Sequence, residues 1–511
     1  MRPDVQRFMC LHAALVAAAL AGCAVGPDYR RPAPPAVASY TADALPAGTA
    51  GAPGVGGTAQ RFVSGGQIPA RWWELFRSEA LDRWIHEGLA GSPTLVAAEA
   101  TLRRAQEVRS ARSGELLPSV DGTVSASRQN PSGASLGVPD AQINPFTLYN
   151  ASVDVSYTLD LFGRTRRGLE ALQAQVDYQG FQLEGARLTL ASNIVTAALL
   201  EASLRGQMQA TRDILATQEE QLALIEKQFE LGGIARTDVL AQRASLAQSR
   251  VALPLLEKQL AQTRHLLAVL AGRFPGEAAD LPEFHLEDFR LPEELPVSLP
   301  SSLVRQRPDI RSSEELLHAA SASVGVATAN LYPQITLSAR YGTEAAQIGD
   351  LFHPGTAVWG IGAGLLQPIF RGGELEATRR AEVAGFDQAA AQYRETVLQA
   401  FREVADVLRA LEYDALTLKA QSDAEAAARD TLDIANRQVR YGATSYLSLL
   451  NAQRQYHLAR ILLVQAQASR FADTAALFQA LGGGWWNREP ETGGTGAVWK
   501  PEFLSPGAAR R

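Results

Sequence analysis

The sequence predicts a mostly helical fold with a membrane β-barrel, built from two structural repeats of about 210 residues. Three observations predict it. The N-terminus is an export signal that ends at a cysteine. Two separate segments each carry a pair of alternating strands. Two long stretches lack proline and repeat apolar residues at helical spacing.

The N-terminus comes first. Arg2 and Arg7 precede an apolar run from Phe8 to Ala21, which is too short to span a bilayer as a mature helix. Leu20-Ala21-Gly22-Cys23 resembles the bacterial lipobox, in which the thiol is acylated and the chain is cut before it. Residues 1–22 are therefore expected as a signal peptide and Cys23 as a lipidation (palmitate) site; a plain signal peptide with an incidental cysteine is the alternative. The resemblance implies sorting to the cell outer membrane, because Ala24 rather than Asp follows the cysteine. The other cysteine, Cys10, falls in the removed part, so no internal disulfide is expected.

Residues 23–66 are rich in Pro, Ala and Gly and are expected as a lipid-anchored extended tether. Residues 485–511 are expected as a flexible tail. The 511-residue chain has a net charge of -6, which argues against nucleic acid as a partner.

Internal matches define the repeats. Ser92-Pro93-Thr94-Leu95 recurs as Arg307-Pro308-Asp309-Ile310, and Leu116-Leu117-Pro118-Ser119-Val120 as Leu331-Tyr332-Pro333-Gln334-Ile335. Asp160-Leu161-Phe162-Gly163 matches Pro368-Ile369-Phe370-Arg371, and Ala241-Gln242-Arg243 matches Ala452-Gln453-Arg454. Four matches in one order at offsets of about 210 residues give repeats at 67–275 and 301–484, joined by a linker at 276–300.

Each repeat opens with a helical stretch, Leu81 to Leu116 and Ser302 to Leu331, stopped by Pro118 and Pro333. Two strands follow in each, at about 119–128 and 147–161, then at about 334–343 and 356–369. In the second of these, Tyr149, Ala151, Val153, Val155 and Tyr157 alternate with Asn150, Ser152, Asp154 and Ser156. In the fourth, Trp359, Ile361, Ala363 and Leu365 alternate with Gly360, Gly362 and Gly364. An apolar face opposite a polar or minimal face is the pattern of a transmembrane barrel, and equally of a half-buried soluble sheet. The lipobox favours the membrane. Four strands cannot close a barrel, which needs about eight; three chains would supply about twelve.

Long helices follow, from about Thr165 to Leu231 and from Glu374 to Tyr441. Each would run roughly 100 Å at 1.5 Å per residue, the length of a coiled coil. Short turns then lead into return helices, Asp238 to Leu270 and Tyr446 to Leu481, with Pro254 expected to kink the first.

These residues carry a family resemblance. Trp72-Trp73 with Phe76, Leu159-Asp160-Leu161-Phe162-Gly163-Arg164, Arg305-Gln306-Arg307-Pro308-Asp309-Ile310, Tyr332-Pro333 and Pro368-Ile369-Phe370-Arg371-Gly372-Gly373 together span nearly the whole chain. The chain resembles the outer-membrane factors of tripartite efflux systems, in their lipoprotein branch. The resemblance implies a homotrimer with a shared twelve-stranded barrel in the lipid bilayer and an α-helical periplasmic tunnel. It implies two further partners, a periplasmic membrane-fusion adaptor and, through it, a proton-driven inner-membrane transporter. It implies no catalysis and no cofactor.

On the same resemblance Gly232, Gly233, Thr237, Asp238, Tyr441, Gly442, Thr444 and Ser445 form the periplasmic tip, for adaptor docking and gating. The glycines also supply helix-ending geometry whatever the tip does. The family often places an acidic ring near the second turn; here Thr444 and Ser445 stand there, which puts that gate in doubt. Asp238 is the nearby carboxylate, and equally an N-terminal helix charge or cap. Asn150, Ser152, Asp154, Ser156, Asp160, Gly360, Gly362 and Gly364 are expected to line the barrel lumen.

Enzyme signals are weak. The seven histidines are scattered, with no metal-binding pair, and Arg371-Gly372-Gly373-Glu374 lacks the Gly-Lys pair of a phosphate loop. Two alternatives to the efflux duct stand at this point: a periplasmic coiled-coil scaffold lipoprotein without a pore, and the exit duct of a type I protein secretion system.

Overall fold

A computed structural model of the chain describes residues 24–130, 132, 134 and 144–488. Cys23 lies outside them, as do residues 1–22, expected as a signal peptide, and residues 489–511. The chain divides into two compact units. The first comprises Met1–Pro32, Leu102–Gln179 and Ser313–Tyr393; the second comprises Ala33–Thr101, Gly180–Ser312 and Arg394–Arg511.

The first unit holds a four-stranded antiparallel sheet. Its strands are β2 (Ser119–Gln129), β3 (Phe146–Leu159), β5 (Gln334–Ala345) and β6 (Ala357–Leu366), in the order β2-β3-β5-β6. Each repeat thus contributes one hairpin, and the two hairpins meet at β3 and β5. The register keeps the two faces apart across all four strands. One row reads Gly122, Val153, Tyr341, Trp359, and the adjacent row on the opposite face reads Asp121, Asp154, Arg340, Gly360. The apolar face is open: Val124 is 83% exposed, Trp359 74% and Ile361 81%. Among the described residues no helix is long and apolar enough to cross a membrane.

The described residues form nine α-helices: α1 (Glu79–Gly91), α2 (Pro93–Ser113), α3 (Arg164–Glu230), α4 (Arg236–Arg250), α5 (Ala252–Leu270), α6 (Pro300–Gln306), α7 (Pro308–Ala329), α8 (Glu374–Arg440) and α9 (Tyr446–Ala480). The helices α3 and α8 are 67 residues each. The first helix of each repeat is broken where continuity was expected. Ser92 and Arg307 are extended, with ψ of 118° and 126°, and α2 and α7 begin on the prolines that follow them. The proline ring excludes the α conformation at the preceding residue, so the recurring X-Pro pair is a recurring break. Pro254 has no N–H to offer the Arg250 carbonyl, so the hydrogen-bond ladder is interrupted between α4 and α5, while Val251 between them keeps helical angles, φ -63° and ψ -29°.

In the second unit an aromatic cluster explains the Trp72-Trp73-Phe76 motif. Trp72 stacks on Phe478 of α9 at 5.4 Å, and Phe76 and Phe289 pack against Phe471 at 6.4 and 6.0 Å. Such pairs contribute about 0.5–1.5 kcal/mol each beyond the area they bury.

Segments expected as tether, linker and tail are folded where the structure describes them. Residues 33–66 are not a free tether: β1 (Arg61–Ser64) pairs in parallel with β4 (Glu294–Val297), and Tyr40 packs on Phe401 and donates to the Ser298 carbonyl at 2.9 Å. The segment has little apolar surface of its own, and polar bonds hold it instead. Arg470, 1% exposed, donates to Thr49 Oγ1 at 3.1 Å, and the Gln60 side chain donates to Pro292 O at 3.0 Å. The expected linker 276–300 contains β4 and buries Leu281, Phe284, Leu286 and Phe289. The start of the tail is docked as well, with Trp485 Nε1 donating to Gln306 O at 2.7 Å.

Candidate functional site

Two places gather the candidate residues: the helical turns of the second unit and the polar face of the sheet in the first.

The two turns have one construction. Gly233 N–H donates to Gln228 O at 2.8 Å and Gly232 N–H to Phe229 O at 2.9 Å. Ala443 N–H donates to Gln438 O at 2.9 Å and Gly442 N–H to Val439 O at 3.1 Å. These are paired Schellman closures, in which the residue after the helix must be left-handed; Gly232 and Gly442 hold φ of 76° and 66°. The return helices start differently. Ser445 caps α9, accepting from Ser448 N–H at 3.3 Å, whereas Ala235, which precedes α4, offers no side-chain cap. Asp238 sits in the first turn of α4, where its negative charge complements the helix N-terminus. Leu231, Thr237 and Tyr441 are exposed, and Thr444 is half-buried.

Behind the turns, side-chain amides tie the hairpins together. Tyr446 Oη donates to Gln242 Oε1 at 2.9 Å, and Gln242 Nε2 donates to Gln218 O at 3.1 Å. Gln453 donates to Gln221, whose Nε2 donates to Asn436 Oδ1 at 3.2 Å. Burial, with the charge of Asp238 adding to it, pushes the Tyr446 phenol well above its ordinary pKa, so it is a permanent donor. Sequence reasoning did not assign these bonds. The signal was present: Gln242 and Gln453 are the matched glutamines of the repeated Ala-Gln-Arg motif, and both are buried.

On the sheet, Asn150, Ser152, Asp154, Ser156, Gly360, Gly362 and Gly364 share one face. Asp160 does not join them. It follows the end of β3, and its carboxylate accepts from Thr165 N–H at 3.1 Å and Arg166 N–H at 2.9 Å. It caps the start of α3; the alternation in sequence runs two residues past the last ladder pair. Arg340, Asp121 and Glu344 also lie on the polar face and were not singled out from the sequence. Arg340 Nε lies 3.1 Å from Asp154 Oδ1 and 3.1 Å from Ser152 Oγ, and Asn150 Nδ2 donates to Glu344 Oε1 at 3.0 Å. This network covers Asn150 and Ser152, which are 5% and 7% exposed. Asp121 and Asp154 are direct cross-strand neighbours, an arrangement that Arg340 compensates on one side.

The sequence model of the outer membrane efflux protein family matches residues 84–273 and 299–483, one block in each repeat. The chain belongs to this family. Among relatives of the family, the pyoverdine export outer membrane protein OpmQ of Pseudomonas aeruginosa is 32% identical over 436 residues, covering 83% of this chain and 90% of that protein. The toluene efflux pump outer membrane protein TtgC of Pseudomonas putida is 30% identical over 494 residues, covering 96% and 99%. The solved outer-membrane channel OprN superposes with a TM-score of 0.82 at 28% identity, covering 91% of this chain and all of that one. The open-state channel MtrE of Neisseria gonorrhoeae gives 0.76 at 26% identity, covering 91% and 99%. The mostly helical two-repeat fold with its four-stranded sheet is therefore that of an outer-membrane efflux channel.

The family motifs find structural roles. Arg307 donates to Asp309 Oδ2 at 2.6 Å, to Glu403 Oε2 at 2.7 Å and to Ala480 O at 3.0 Å, locking the start of α7. Burial opposes its charge, but the two carboxylates outweigh that and raise its pKa further.

Proposed function

We propose that three copies of this efflux channel chain assemble into one exit duct, closed by a shared barrel of about twelve strands. The observation that carries it is the four-stranded antiparallel sheet with one apolar and one polar face and two edges, β2 and β6, without a partner strand among the described residues. An open edge of this length is a template for another strand, and a barrel in lipid has none. The polar face, with Asn150, Ser152, Asp154, Ser156 and the three β6 glycines, lines the water-filled lumen. The long helices form the periplasmic wall. The turns at Gly232 to Asp238 and Tyr441 to Ser445 are the end that an adaptor hairpin engages, and through the adaptor a proton-driven inner-membrane transporter supplies the work. Acyl chains on Cys23 add a second anchor. The duct does no chemistry, and the names of its relatives, which print pyoverdine and toluene, support small organic compounds as cargo.

Purified protein in planar bilayers tests the pore. Discrete conductance steps, with heat-sensitive trimers on gels, are the expected result. A Cys23→Ala protein that is soluble without detergent and passes no current would refute the duct in favour of a scaffold.

A further inference from the structure

We infer that a shallow groove in the apolar face of the sheet is the seat of an acyl chain carried on Cys23. The inference rests on the proposed lipidation of that residue.

The groove encloses about 470 Å³ and is lined by Val155, Tyr157, Leu337, Ala339, Ile361 and Ala363. The ladder explains its shape. Val155, Ala339 and Ile361 form one cross-strand row, and Tyr157, Leu337 and Ala363 the next row on the same face. Two alanines on adjacent strands, Ala339 and Ala363, leave a depression between larger side chains. Its lining is almost wholly apolar, so it fits a hydrocarbon chain rather than a polar headgroup.

The path of the chain names the occupant. Val25 N–H donates to Phe162 O at 3.0 Å, and Ala24 Cβ stands 2.6 Å from where a Cβ on Gly163 would be. Residue 24 is thus fixed at the corner between β3 and α3. Further along, Arg167 Nη2 holds Asp28 at 2.5 Å and Arg31 pairs with Glu314, so the segment has no slack to draw away. Cys23 adjoins Ala24, within about 3.8 Å along the backbone. Five residues of β3 and its exit separate Phe162 from Tyr157, about 17 Å at most. One leaflet of hydrocarbon is about 15 Å deep. A chain attached at Cys23 and entering the leaflet therefore lies beside these two rows. Gly163 matters for the same reason: any side chain there would displace Ala24 and with it the attachment point.

The test uses the full-length protein from cells fed a photoreactive diazirine fatty acid. The mass of the mature N-terminal peptide is read first, then cross-links are mapped after irradiation. The expected result is an acylated Cys23 peptide joined to peptides containing Val155–Tyr157, Leu337–Ala339 and Ile361–Ala363. Filling the groove with Ala339→Phe or Ala363→Phe should abolish those links and leave acylation and trimer heat-stability unchanged. An acylated Cys23 whose links go to bilayer lipid, or spread evenly to Val124 and Trp359, overturns the inference and leaves lipidation standing. An N-terminal peptide without acyl mass overturns both.

Discussion

The phenol of Tyr446 donates to the Gln242 side chain at 2.9 Å, joining the second hairpin to the first behind their turns. Losing such a bond costs about 1 kcal/mol, roughly a fivefold change in the population of a parted state. Tyr446→Phe should therefore raise the open probability of single channels several-fold while the barrel stays intact. Unchanged gating would mean that this bond does not hold the tip.

Arg340 sits between Asp154, Ser152 and Asn150 on the polar face. Removing it leaves Asp121 and Asp154 without a cation on their row. Arg340→Ala should shift the reversal potential in a salt gradient toward stronger cation preference. A reversal potential equal to that of the parent would place this face away from the conducting water.

Asp160 caps α3 through Thr165 and Arg166. Asp160→Ala should cost about 1 kcal/mol locally and speed amide exchange in the first turn of α3, whereas Asp160→Asn should retain most of the protection. Equal exchange in both variants would deny the cap. Conductance should change little, since the residue lies off the lumen face.

His318 supplies a pH dependence. Burial disfavours its charge, but Glu315 and Glu170 outweigh burial, and the pKa is raised above the ordinary 6.5. Tyr29 of the N-terminal segment stacks on this ring at 4.2 Å. A raised basic pKa contributes stability that is fully present below about pH 6.5 and is lost as pH rises through the folded value. Amide protection of residues 28–31 should fall across that window, and His318→Gln should flatten the dependence. A profile that is flat in the parent protein would contradict it.

The strands and their faces were legible because period two is a local property, and four β-segments showed it. Where pairing stops is not local, so the alternation carries Asp160 onto the wall although Leu159 is the last residue in register with β5. The X-Pro breaks at Ser92 and Arg307 followed from the same rule that was applied only at Pro118 and Pro333. Residues 33–66 look unfoldable by composition because their partners, Arg470, Thr474 and Pro292, are hundreds of residues away. At the tip the glycine turns were readable, whereas the amide bonds behind them depend on which helices become neighbours.

The shared barrel is tested most directly by edge-to-edge cross-linking. Cys23 is the one cysteine expected in the mature chain, so engineered pairs have a clean background. Cysteines placed on the apolar face of β2, at Val120 or Val124, and of β6, at Trp359 or Ile361, should oxidise between copies in at least one register. The predicted product is a covalent trimer and nothing larger. Monomers in every pairing, or a ladder running past the trimer, would contradict the shared barrel.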